Sequence, residues 1–169
     1  MKRLILMRHA RAERRGEDGS DEGRALHPKG LTTAQKAGRY LREEGYKPEL
    51  IIHSNAKRTV QTAWAVCEEL KPAPMTEGLN ALYLAPAEDV LKIIRRTEPT
   101  VNTLIVVGHN PGISDLTINL MDRQASDIPL AEIMAFPPNA FSMFDLDIDH
   151  WVAASRGHLT HYQIAEDLP

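Results

Sequence analysis

The chain has 169 residues, 43% hydrophobic and 25% charged, with a formal net charge of −3. That length suits one domain, read here as 1–169, with a sizeable core, and the charge leaves no global basic field for nucleic acid or an anionic membrane. One cysteine, Cys67, excludes an internal disulfide and a cysteine zinc site.

The chain opens MKRLILMRHA, and its apolar run spans only 4–7. That is too short for the core of a signal peptide, and no later run nears the ~18 apolar residues of a membrane span. A soluble, cytoplasmic protein is expected. Residues 3–7 read as a strand, and the polar, glycine-bearing 14–27 as a loop. Residues 31–44 follow a helical pattern that Gly45 stops. Residues 50–53 form a second strand, followed by a helix over 56–70 whose stripe Val60, Trp64, Cys67 and Leu70 reads as core. A short strand fits 75–77, and Pro86 starts a helix to about Arg96. Residues 103–107 are the third clear strand and 112–121 a further helix. The stretch 122–139 is mixed, with Pro129, Pro137 and Pro138. Strands at 141–146 and 159–164, joined by a polar turn around 149–157, form an antiparallel pair beside a mainly parallel sheet. The fold class is therefore α/β.

Three strand tips carry unusual residues: Arg8-His9 after the first, His53 to Arg58 after the second, and Gly108-His109 after the third. In an open parallel sheet these tips share one edge, where ligands bind. Arg8 and Arg58 offer forks of N–H donors suited to phosphate oxygens. Gly108 permits close backbone approach, and the N–H groups opening the next helix add anion donors. An imidazole is a nucleophile when neutral and a cationic donor when protonated. Two arginines around two histidines thus suggest phosphoryl transfer through a phosphohistidine. Taken singly, each has a plainer reading: a solvated loop start, a surface helix charge, a hydrogen-bonded loop histidine. His27, His53, His150, His158 and His161 read as structural or solvent-facing. Metal binding by His9, His53 and His109 is weaker, because no HxxxH or HxH motif is present and the arginines repel a cation.

The motifs resemble those of the histidine phosphatase superfamily. LMRHA resembles its RHG signature, with Ala10 for glycine. HSNAKRTVQTA resembles its S-P-x-x-R-x-x-Q-T-A segment, with Asn55 for proline. LIVVGHNPG resembles its third, histidine-bearing strand and loop. ALHPKGLTTAQKAGRYL and the closing FDLDIDHWVAASRGHLTHYQIAEDL extend the likeness to SixA-type phosphohistidine phosphatases. The resemblance implies a three-layer α/β/α sandwich with a mostly parallel sheet. It implies His9 as nucleophile and Arg8, Arg58 and His109 as phosphate pocket, with no metal or organic cofactor. In the mechanism expected from these residues, a protonated His109 helps stabilise the equatorial oxygens.

Many larger relatives carry a glutamate that protonates the leaving oxygen. The matching position here is near Asn80 or Ala81; Glu77 and Glu88 flank it, and a carboxylate of the 14–27 loop is another candidate donor. An alkoxide leaving group benefits from a positioned acid, whereas an imidazole leaves more easily. The gap therefore favours phosphoramidates or activated esters over sugar phosphates. The leading reading is phosphohistidine in proteins, with a histidine phosphotransfer protein as the family-based partner. A phosphomonoesterase for a small phosphorylated metabolite and a non-catalytic phosphate-binding module are the alternatives. Oligomeric state is open, and Trp151 fits core, partner or solvent.

Overall fold

A computed structural model describes residues 1–122 and 128–169, so 123–127 of the mixed stretch lie outside the described residues. Among the described residues six strands form one sheet: β1 (Lys2–Arg8), β2 (Leu50–His53), β3 (Met75–Gly78), β4 (Thr103–Gly108), β5 (Ala140–Leu146) and β6 (His158–Ile164). Their order is β3-β2-β4-β1-β5-β6. β3, β2, β4 and β1 run parallel, and β5 and β6 add the antiparallel edge. The expected antiparallel pair is therefore present beside a parallel block.

The central strands read as unbroken apolar runs because both their faces are buried. Leu4, Leu6, Leu104 and Val106 point into one core layer, and Ile5, Met7, Ile105 and Val107 into the other. The first layer lies under α3 (Ala87–Ile94), α4 (Gly112–Leu120) and α5 (Leu130–Ala135). The second lies under α1 (Pro28–Glu43) and α2 (Lys57–Glu69). The result is the three-layer α/β/α sandwich. No helix among the described residues is long and apolar enough to cross a membrane.

α1 begins a turn earlier than its apolar pattern suggests. Pro28 occupies the first helical turn, and the His27 ring caps the helix, its Nδ1 accepting from Lys29 N–H. Gly45 ends the turn after it at φ +77°. α5 falls in the stretch read as mixed; with six residues it is too short for a helical period to show.

The stripe on α2 requires a correction. Leu70 is buried, but Trp64 is 61% exposed, and Val60 and Cys67 are only partly covered. The inward face is instead Arg58, Thr59, Thr62, Ala63, Ala65 and Val66. Close packing against α1 explains the choice: a Cβ on Gly38 would come within 2.7 Å of the Val66 carbonyl oxygen. No indole fits such an approach. Trp151, by contrast, is core; its ring is 1% exposed and Nε1 donates to Val101 O at 2.8 Å.

Candidate active site

Strand order brings the motifs together. β4 lies between β1 and β2, and the three end in register, with Arg8 beside Gly108 and His53 beside Val107. His9 N–H continues the ladder to Gly108 O at 3.0 Å. His9, Arg58 at the start of α2, and His109 just beyond β4 consequently meet at one sheet edge. Gly108 allows close approach, but by protein: a Cβ there would crowd the Ile113 side chain of α4 at 3.0 Å. At the start of α4, a Cβ on Gly112 would run into the Ala85 carbonyl.

Arg58, 2% exposed, is the hub. Its Nε–H donates to His9 Nε2 at 3.3 Å, and Nη2 lies 3.4 Å from His109 Nδ1. Its outer edge is held by the 14–27 loop, with Nη1 donating to Asp21 O at 2.6 Å and Nη2 to Asp21 Oδ2 at 2.9 Å. A guanidinium only donates, so His9 Nε2 carries a lone pair. The other His9 nitrogen, Nδ1, lies 2.8 Å from the Ala10 carbonyl and must donate to it. His9 is thus presented as a neutral ring with its Nε2 lone pair facing the arginine. Burial, reinforced by the charges of Arg58 and Arg8, pushes its pKa down to about 3.

Arg8 comes in from the β1 tip. Its Nη1 donates to the Phe136 carbonyl at 2.9 Å, and its buried Nε has no protein partner. The same carbonyl accepts from Asn110 Nδ2 at 3.1 Å. The segment after α5 therefore orients both a pocket arginine and the residue after His109.

His109 is 3% exposed and packs edge-on to His9, ring centroids 5.3 Å apart. Burial, then the Arg58 charge, pushes it down to about 4. The resting ring is neutral at pH 7; the protonated His109 expected in the mechanism concerns the liganded site. His53, by contrast, turns its Nδ1 to the Ser54 carbonyl and packs beside Gly78, away from the histidine pair.

Around the pocket, Asp18, Asp21, Glu22, Asn55, Lys57 and Tyr83 help line a depression of about 660 Å³. Asp21 Oδ2 accepts from the Tyr83 hydroxyl at 2.6 Å and Oδ1 from Arg24 at 2.9 Å. Those bonds, with that from Arg58, hold its carboxyl far below the usual carboxylate range. It is an anion at neutral pH and no proton donor. Glu77 lines a separate groove with Leu50, Ile52, Leu79 and Ile93, and Glu88 one with Asp115 and Asn119. Neither is among the residues lining the depression.

The residues not anticipated are Tyr83, the Phe136 carbonyl, Ser54 and Thr59. The last two stand inside HSNAKRTVQTA, where their hydroxyls were readable. Asp21 is among the loop carboxylates expected as candidate proton donors, but its place against Arg58 was not anticipated. Within that segment Gln61 Oε1 also accepts Leu26 N–H at 2.7 Å, pinning the loop, and Thr62 Oγ1 accepts Ala10 N–H at 3.0 Å. Nothing singled out Asp21 among the carboxylates of its mixed-charge loop, and Tyr83, in an irregular turn, gave no signal.

The model of the histidine phosphatase superfamily, branch 1, matches residues 4–84. An uncharacterized protein of Mycobacterium tuberculosis is 32% identical over 154 residues, covering 89% of this chain and 93% of its own. A candidate phosphohistidine phosphatase, SixA, from Nakamurella multipartitia superposes with a TM-score of 0.82 at 26% identity, covering 96% of this chain and 95% of that one. A mycobacterial glucosyl-3-phosphoglycerate phosphatase shares the fold at a TM-score of 0.65 and 16% identity, over 94% and 97% of the two chains. The chain belongs to the histidine phosphatase superfamily.

Proposed function

We propose that the protein is a phosphatase that works through a phosphohistidine on His9 and acts on phosphohistidine in proteins. The His9 Nε2 lone pair attacks phosphorus in line with the leaving group. The N–P bond to Nε2 forms as the substrate's P–N bond breaks, and the leaving nitrogen keeps that pair. A substrate imidazole protonated on its other nitrogen leaves as a neutral ring. Arg8, Arg58 and His109 stabilise the equatorial oxygens, where fixed donors in a buried site act most strongly. Water then attacks the phosphohistidine, releasing phosphate and returning the lone pair to Nε2.

The observation carrying the substrate class is the state of Asp21, the carboxylate bonded to Arg58. Asp21 is tied to Arg58, Arg24 and Tyr83 and stays ionised. An alkoxide would leave without help from it, and an imidazole does not need that help. The test follows phosphate release from a phosphohistidine-bearing protein and from p-nitrophenyl phosphate. Wild type releases phosphate faster from the protein, and His9→Ala lowers both rates at least about a thousandfold. Faster release from the ester would point to a general phosphomonoesterase. Full turnover by His9→Ala would overturn the mechanism.

A further inference from the structure

Two buried hydroxyls stand behind His109. Ser54 and Thr59 are both 0% exposed. Thr59 Oγ1 lies 2.7 Å from Ala56 O and 2.8 Å from Ser54 O, and carbonyls only accept. The one threonine proton is therefore committed to a carbonyl. Ser54 Oγ, 2.7 Å from Thr59 Oγ1, must then be the donor of that pair. With its proton spent there, Ser54 Oγ can only accept from its other neighbours: Ala56 N–H at 3.4 Å and His109 Nε2 at 2.7 Å. His109 Nε2 therefore carries a hydrogen. The opposite face agrees, because Arg58 Nη2 reaches Nδ1 and can only donate. Reversing the chain would set Thr59 Oγ1 against two carbonyl oxygens with no proton between them, a costly arrangement in a buried site.

We infer that the Ser54–Thr59 pair locks His109 as the Nε2–H tautomer, so that an arriving phosphoryl dianion is bound together with one proton, taken up at His109 Nδ1. A lone pair at Nδ1 would repel a phosphoryl oxygen. The ring cannot answer by moving its proton from Nε2 to Nδ1, because Ser54 has none to give to a bare Nε2. A second proton is the remaining route to a donor at Nδ1, and the dianion supplies the field that holds it there. The charged and titratable groups facing His109 are Arg58 from α2, Arg8 from the β1 tip, His9 beside it, Asp21 from the loop and Tyr83 from the turn after β3. Burial, then the two arginine charges, keeps the empty site unprotonated; the dianion offsets the arginines. Ser54 and Thr59 are positioning residues, acting through His109.

This inference rests on the phosphate-pocket reading of Arg8, His9, Arg58 and His109. The test uses tungstate at micromolar concentration, where it stays the monomeric dianion across the neutral range. With one proton taken up, wild-type affinity weakens by about tenfold per pH unit as pH rises between about 6 and 8. In Ser54→Ala the ring is free to switch tautomer, so the slope falls toward zero while binding persists. Thr59→Val releases the serine proton toward Nε2 and flattens the slope as well. Long-range 1H–15N spectra of histidine-labelled wild type, with His109→Gln for assignment, show a neutral Nε2–H ring that becomes doubly protonated with tungstate. That measurement needs neither hydroxyl variant to fold. A flat wild-type slope, an Nδ1–H resting ring, or an unchanged slope in folded Ser54→Ala overturns the inference and leaves the phosphatase reading intact. Absence of tungstate binding at every pH overturns the pocket reading and the inference with it.

Discussion

Arg58 is a single side chain asked to do two opposed things. It donates to two histidines that burial already keeps neutral, and it keeps its other edge on Asp21. The neutrality has a consequence for stability. His9 and His109 are pushed below the ordinary histidine value, to about 3 and about 4. Below about pH 6.5 the unfolded chain binds protons that the folded sites refuse. Their contribution is fully present above that value and is lost as pH falls toward 4. By pH 4.5 the loss is on the order of 2 kcal/mol per histidine, or about 5 °C in Tm for each in a chain this size. Comparing Tm at pH 7 and 4.5 in wild type and His109→Gln checks this: the drop is smaller in the variant, and equal drops would rule the attribution out.

α2 shows what an element can hide. Val60, Trp64 and Cys67 recur at a helical period, and that period correctly marks a helix. It does not say which of two faces turns inward. Small residues on α2 meet Ala34, Ala37 and Gly38 on α1 at a distance that admits no large ring. The tryptophan is left outside, 61% exposed. Trp64→Ala therefore changes stability by less than about 0.5 kcal/mol. Trp151→Ala empties a core site and removes a hydrogen bond to Val101, at a cost of about 3–5 kcal/mol. Urea unfolding of the two variants separates them, and a large loss for Trp64→Ala would place that ring against something in solution. The strands were far more legible, because a strand buried on both faces needs no choice of side.

At the scale of the whole molecule, the pocket draws on residues 8, 9, 58 and 109 and on the Phe136 carbonyl, so it exists only while the sheet and both helical layers are assembled. An anion bound there stabilises the entire fold. Inorganic phosphate at ten times its Kd adds about 1.4 kcal/mol, raising Tm by about 4 °C, and Arg58→Met abolishes the shift. A shift that survives in the variant would locate the anion elsewhere. The sequence by itself determined the α/β class, the three strand tips and the four residues gathered there, since periodicity and apolar runs are local properties and parallel strands share one carboxyl edge. Only the tertiary structure decided which face of α2 is buried, that Asp21 is an ionised tether instead of a proton donor, and that His109 rests neutral on Ser54. Those outcomes depend on how closely helices approach, what a buried carboxylate touches and where a hydroxyl's single proton goes. Each is set by neighbours far away along the chain.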